Sequence, residues 1–127
     1  MELHSVKLEQ QSLQQSKLNG EFKIILTLIY IMIKLVITTS DKSEKKFKAV
    51  FTKPDGKTKT IHFGASGYQD YLQSHDKNQR ERYRKRHEKD LKGDPMRAGY
   101  LSYYILWGNS IYLDTNIRSF KMKFNFV

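Results

Sequence analysis

Residues 33–63 read IKLVITTSDKSEKKFKAVFTKPDGKTKTIHF, and their alternation decides the fold class. Ile33, Leu35 and Ile37 share one face of an extended chain, with Lys34, Val36 and Thr38 on the other, the period of two expected of a strand covered on one side. A charged connection from Lys42 to Lys46 follows, and then Phe47, Ala49 and Phe51 alternate with Lys48, Val50 and Thr52. Lys53-Pro54-Asp55-Gly56 supplies the fixed proline torsion and the permissive glycine of a tight hairpin. Ile61 and Phe63 carry the apolar face beyond it. The expectation is a three-stranded antiparallel meander.

The period changes after Phe63. Gly64 and Gly67 bracket a turn, and Tyr68, Tyr71 and Leu72 have the spacing of a short helix. Asp76 precedes Gln79 by three residues, a capping-box arrangement that predicts a helix running to about Lys92, with Gly93-Asp94-Pro95 closing it. Met96 to Trp107 is apolar or aromatic on almost every side, as in a helix buried between other elements. Leu113, Ile117, Phe120 and Phe124 recur at helical intervals and predict a last amphipathic helix that begins near Ser110, which can cap it, and frays into KMKFNFV. The predicted class is α+β: the meander packed with about three helices, preceded by an apolar N-terminal extension.

With 127 residues the chain is long enough for one modest core. The boundaries drawn are an extension over 1–31 and a single basic domain over 32–127. Lys7, Lys17 and Lys23 balance Glu2, Glu9 and Glu21, so the whole net charge of +10 lies in residues 32–127. Such a surface attracts phosphate-rich or acidic partners. Residues 1–20 show no sustained period and read as a loose or weakly helical tail. The composition break and Met32 raise the expectation that translation begins at Met32; the competing reading is an apolar extension that docks on a partner or pairs as a buried strand. The uninterrupted apolar piece, Ile24 to Ile33, is about half the roughly 20 residues a bilayer span requires, and no small-residue cleavage site follows it, so neither membrane insertion nor secretion is expected. Cysteine is absent, which excludes disulfides, thiolate metal sites and cysteine nucleophiles.

The candidate chemistry lies in the predicted cationic helix. Eight cations, Lys77, Arg80, Arg82, Arg84, Lys85, Arg86, Lys89 and Lys92, face three acids, Glu81, Glu88 and Asp90. On a helix Arg82, Lys85, Arg86 and Lys89 fall on one side, while Tyr83, His87 and Leu91 form a stripe able to pack on the domain. Phosphate contact by the first set is one reading. The other is a solvated helix with ion pairs such as Glu81 with Lys85 or Glu88 with Lys92. Tyr68 follows the exposed turn and is kept as a candidate to stack on unpaired bases, the other aromatics being assigned to packing. The GASG turn, Gly64 to Gly67, resembles anion-binding turns but matches neither the dinucleotide nor the Walker pattern. His62, His75 and His87 with Asp70, Asp76, Glu81 and Asp90 have no HExxH spacing and no recognised two-metal arrangement. No nucleophile elbow is present.

The segments IHFGASGYQDYLQSHDKNQRERYRKRH and AGYLSYYILW, within residues 32–120, resemble an uncharacterised group of small basic proteins encoded by large double-stranded DNA viruses of algae and protists. The resemblance rests on Phe63, Gly64, Ala65, Gly67, Tyr68, Asp70 and Tyr71 at the turn, His75 and Asp76, Arg80, Tyr83 and the Arg86-His87 end of the basic helix, and Ala98-Gly99-Tyr100 followed by Leu106-Trp107. The chain departs from that pattern in LKGDPMR, which lacks a tryptophan, and at Ser110, where proline would stand. The resemblance implies a viral origin and a place in the virion or the infected cell, in a cytoplasmic viral factory or the nucleus. It implies no enzyme and assigns no residues.

The functional expectation is a non-enzymatic nucleic-acid-binding protein that contacts phosphates through Arg82, Lys85, Arg86 and Lys89, with Tyr68 beside them, and that needs no cofactor or metal. The alternatives are a minor capsid or scaffold component that binds an acidic viral protein, and a metal-dependent nuclease.

Overall fold

The computed structural model describes residues 20–127. Three strands, β1 (Lys34–Thr39), β2 (Lys45–Thr52) and β3 (Thr58–Ala65), form an antiparallel sheet in the order β1-β2-β3. Its register pairs Leu35 with Phe51, Ile37 with Ala49 and Phe47 with Phe63, so the alternating apolar residues lie on one face. Leu35, Ala49, Phe51 and Phe63 are buried there, and burying each of the larger side chains stabilises the fold by about 1.5–3 kcal/mol. The β2–β3 hairpin turns as expected. Gly56 has φ 87°, its N–H donates to the Lys53 carbonyl at 2.9 Å, and Asp55 Oδ1 accepts from the Lys57 N–H at 2.9 Å.

The helical layer packs on that face. A short helix α2 (Tyr71–Ser74) leads into the basic helix α3 (Lys77–His87) and a 3₁₀ turn (Glu88–Asp90). The α-helix therefore stops five residues before the expected end at Lys92: His87 turns its ring toward Asp90, and the chain tightens so that Leu91 meets the core. The aromatic segment is one α-turn, α4 (Ala98–Leu101), continued as a π-helical turn over Ser102–Leu106. It begins two residues later than expected, because Asp94 Oδ1 takes the Met96 N–H at 2.8 Å and holds that residue in a turn. Leu101, Ile105 and Leu106 fill the space above the sheet.

The last helix, α5 (Leu113–Phe124), begins three residues after Ser110. Ser110 does not cap it. Its hydroxyl accepts from the Tyr112 N–H at 3.0 Å, and its own backbone N–H and carbonyl are bound by the buried side chain of Asn116. Phe120 of α5 is buried and Leu113, Ile117 and Phe124 are partly so, the face that the helical spacing marks.

The C-terminus does not fray. Asn125 takes the left-handed conformation at φ 59° and ends α5, and the chain then returns to the sheet. Ile33 and Phe126 form a parallel bridge: the Leu35 N–H donates to the Val127 carbonyl at 2.8 Å, and the Val127 N–H to the Ile33 carbonyl at 3.0 Å. Phe126 is buried against Phe51 and Phe120, at ring-centroid distances of 5.1 and 5.8 Å.

Upstream of the sheet the apolar extension is a helix, α1 (Gly20–Ile31), rather than a buried strand. Pairing beside the start of β1, at Ile33 and Leu35, is taken by the returning C-terminus. Ile24, Ile25 and Ile31 are exposed on α1. Among the described residues no helix is long and apolar enough to cross a membrane. The reading of residues 1–20 as a tail falls, but for Gly20, outside the described residues.

Candidate nucleic-acid interface

Two caps fix where the basic helix starts. Asp70 Oδ1 accepts from the Leu72 N–H at 2.9 Å while Gln73 Oε1 takes the Asp70 N–H, a reciprocal capping box at α2. Asp76 then accepts from the N–H groups of Asn78 and Gln79 at 3.0 and 3.1 Å and opens α3. The Asp76 N–H donates to Ser74 Oγ, so the reciprocal partner expected from Gln79 is supplied by serine instead.

The two faces of α3 have different occupations. On the inner face Tyr83 stacks on Trp107 at 4.3 Å with an interplanar angle of 9°, and His87 lies 4.2 Å from Tyr83 on its ring, a three-ring column that joins helix to core. Burial raises the Tyr83 hydroxyl above its ordinary range, and the nearby Asp90 carboxylate adds to the effect. Arg84 donates from Nε to the Trp107 carbonyl at 2.8 Å and from a terminal nitrogen to Asn109 Oδ1 at 2.9 Å. Arg80 reaches the Asn109 carbonyl at 3.3 Å and lies over the Tyr71 ring at 4.6 Å. Glu81 bonds Arg80 at 3.0 Å and lies 3.6 Å from Arg84. Two of the helix's cations are thus clamps on the loop after the π-turn.

Arg82, Lys85, Arg86 and Lys89 face outward and are exposed. Among the described residues none of the four makes an ion pair, and neither Glu81–Lys85 nor Glu88–Lys92 forms. Glu81 is engaged by the two clamping arginines, and Asp90 lies 3.1 Å from His87 Nδ1. Two of the three carboxylates beside the outer row are thus engaged elsewhere, and the third, Glu88, makes no ion pair among the described residues.

Tyr68 lies on the turn beside the helix and is 75% exposed. Its position is set by Lys46, whose ammonium donates to the Tyr68 carbonyl, to Asp70 at 2.8 Å and to Gln73 at 3.1 Å. An open cleft of about 600 Å³ separates this turn from the basic helix, and Tyr68 and Arg86 both line it. Arg82, Lys85 and Lys89 lie outside that lining. The structure brings Tyr68 to one member of the cationic row.

Other expectations meet different geometry. Gly64 and Gly67 adopt φ 80° and 87°, but the Ser66 N–H donates to the Glu44 carbonyl and the following helix N-terminus is filled by Asp70, so the GASG turn presents no open nest for an anion. His62 Nδ1 meets Ser40 Oγ at 2.7 Å, with Asp41 Oδ1 4.0 Å from the same nitrogen. A hydrolytic triad needs serine and carboxylate on opposite ring nitrogens, which this arrangement does not provide. Asp41 is fully exposed, and a backbone hydrogen bond followed by the Lys48 ammonium holds its carboxyl below the ordinary range. Among the described residues no three His, Asp or Glu side chains group as metal ligands.

Sequence reading missed Lys46 and the clamping roles of Arg80 and Arg84. Lys46 lies inside the stretch assigned to a charged connection, and its partners follow 22 to 27 residues later, so no local spacing marks it. The arginine pair did leave a signal. Arg80 and Arg84 are an i, i+4 pair beside the Tyr83–His87 stripe, which puts both at the edge of the packed face.

Comparison with known proteins bears on this same region. A family of unknown function, DUF5754, matches residues 35–87, from β1 through the turn to the end of α3. An uncharacterised protein of Acanthamoeba polyphaga mimivirus, L851, is 36% identical over 85 residues, which cover 61% of this chain and 85% of the relative. No solved structure matches. The matched segment holds both the sheet and the cationic helix built on it, and with a viral relative aligned over most of its length the chain belongs to the DUF5754 family.

Proposed function

We propose that the protein binds nucleic acid without catalysis, through phosphate contacts from Arg82, Lys85, Arg86 and Lys89, as part of a large DNA virus of the kind that infects algae and protists. The observation that supports this most directly is the pairing of the acids on α3 and the 3₁₀ turn after it: Glu81 and Asp90 are engaged by Arg80, Arg84 and His87, Glu88 makes no ion pair, and the four outer cations stay exposed and unpaired among the described residues. Such a row gives affinity for any phosphate backbone and little sequence choice. Genome packaging on the virion interior, or a viral factory, would suit that activity.

Salt dependence tests it. Each neutralised phosphate of a duplex contributes about 0.9 to the slope of log affinity against log salt, so the four cations account for about 3.6. Between 50 and 200 mM salt that slope weakens binding by about 150-fold. Fluorescence anisotropy on random duplex DNA measures it, and replacement of all four residues by glutamine should remove the corresponding slope. A salt-independent affinity, or one unchanged in the quadruple variant, refutes the proposal.

The exposed apolar helix α1, with Ile24, Ile25 and Ile31 open to solvent, favours a second reading. A minor capsid or scaffold component would use the cationic face against an acidic viral protein and insert α1 into the same partner. Its complexes would persist through nuclease treatment and high salt, whereas those of the first reading would dissolve.

A further inference from the structure

The cleft between the Tyr68 turn and α3 has the size and lining of a ligand site. Its volume, about 600 Å³, lies within the range of small-molecule pockets. Cations stand on two sides: Lys45 from β2 and Arg86 from α3, neither in an ion pair among the described residues. The only carboxylate in the lining is Asp70, and Lys46 bonds it at 2.8 Å, so the field that remains is positive. Ala65, Ala98 and Gly99 form parts of the wall and are too small to fill the space. Gly64 is required beneath it, because a Cβ there would come within 2.9 Å of Leu106 and 3.3 Å of Lys46.

Tyr68 completes the site. The residue is 75% exposed and its ring stacks on no other ring among the described residues, yet its backbone carbonyl is held by Lys46. An aromatic face fixed at its base and left uncovered beside two free cations matches the chemistry of a nucleotide, a flat π-system joined to a phosphate. The same feature discriminates between strands. In a duplex the base faces are covered by neighbouring pairs, so a ring at the mouth of a cleft reaches only an unpaired base.

We infer that the cleft receives an unpaired base of single-stranded nucleic acid, stacked on Tyr68 and with its flanking phosphates on Arg86 and Lys45. This rests on the phosphate-binding reading and deepens it, since it turns a cationic surface into one that prefers single strands.

The test compares oligo(dT) and oligo(rU) of about ten nucleotides, within the site size of known single-strand binders, against a duplex of equal length. Tyr68→Ala removes the stacking face at a position exposed enough to leave the fold intact. Base–aromatic stacking corresponds to a loss of about 5- to 150-fold on single strands, with duplex binding changed by less than about twofold and Tyr68→Phe restoring the wild-type value. Trp107 is the chain's single tryptophan, and it lines the cleft, so its emission should fall on addition of oligo(dT) but not of duplex. A larger response to one of the two oligonucleotides assigns DNA or RNA. Equal affinity for single strand and duplex, with Tyr68→Ala affecting neither, overturns the cleft assignment and leaves the cationic row in place. Absence of binding to any of the three probes overturns both.

Discussion

Arg84 and Lys85 are neighbours on one helix and carry the same charge, yet they should fail in opposite ways when each is changed to alanine. Arg84 donates to the Trp107 carbonyl at 2.8 Å and to Asn109 Oδ1 at 2.9 Å, with its side chain only 20% exposed. Charge-assisted bonds of this kind contribute about 1.5–3 kcal/mol each when fully buried. Partial exposure, and the loss of two bonds that share one side chain, put the expected cost of Arg84→Ala at about 2–3 kcal/mol. At roughly 4 °C per kcal/mol for a domain near this size, the melting temperature should fall by about 10 °C. Lys85 is exposed and unpaired among the described residues, so Lys85→Ala should change stability by less than about 0.5 kcal/mol while lowering the salt slope of DNA binding by about 0.9. Thermal melts by circular dichroism and anisotropy titrations at several salt concentrations read the two effects separately. If Arg84→Ala melts like the wild type and Lys85→Ala does not, the division of α3 into a clamping face and a presented face is wrong.

Two further outcomes follow from the packing. Phe126→Ala removes a buried ring that lies against Phe51 and Phe120, and should cost about 3–5 kcal/mol in urea unfolding; a change under about 1 kcal/mol would mean that the terminus is not docked in solution. The second concerns alkaline pH. Tyr83 is raised above the ordinary tyrosine value by burial first and by Asp90 second, so the folded state holds the phenolic proton more tightly than the unfolded chain does. That stability is fully present below the unfolded value of about 10 and is lost as pH rises through the higher folded value. Tyr104, also raised by burial, adds to the loss. Urea midpoints measured from pH 8 to about 11.5 should therefore fall more steeply in the wild type than in Tyr83→Phe. Parallel curves would exclude a buried, protonated Tyr83.

Legibility in the sequence followed the range of the interactions. The meander is local: strand alternation and the Pro54–Gly56 turn fix its register within 31 residues, and every apolar residue assigned to the inner face of β1, β2 and β3 packs against the core. Of the Tyr83–His87–Leu91 stripe that emerged from helical spacing, Tyr83 and Leu91 pack against the core and His87 stacks on the Tyr83 ring. Three features did not emerge, because each depends on a partner distant in the chain. The return of Phe126 and Val127 to β1 spans over 90 residues, and the tail looked like a fraying end because its last residues carry no period. Asn116 occupies a buried position on the apolar side of α5, where helical spacing gives no reason for an amide. It is there to donate to the Ile105 and Ser110 carbonyls and to accept from the Ser110 N–H, groups that the π-turn and its loop leave without regular partners. Lys46 was hidden among the charges of a connection. For the candidate interface, helical spacing identified the outer row, while the division of the remaining cations required the loop at Trp107–Asn109 to be in place.

That division changes what the net charge of +10 means for binding. Lys46, Lys48, Lys59, Arg80 and Arg84 each have a carboxylate within 4 Å, and Arg80 and Arg84 also hold backbone carbonyls, so their fields are spent largely on the protein itself. The outer row differs in spacing as well as in freedom. Arg82, Lys85 and Arg86 lie on α3 and Lys89 on the 3₁₀ turn that follows, a span of about 11 Å along the axis, and the screening length at physiological salt is about 8 Å. Adjacent members of the row therefore lie within one screening length of one another and act on a phosphate backbone as a single patch, whereas a similar charge scattered over the sheet would be screened into independent points. A salt slope near that of four phosphates would then be reached with fewer than half of the 23 lysines and arginines, and adding cations elsewhere on the surface should raise the slope much less than removing one from this row lowers it.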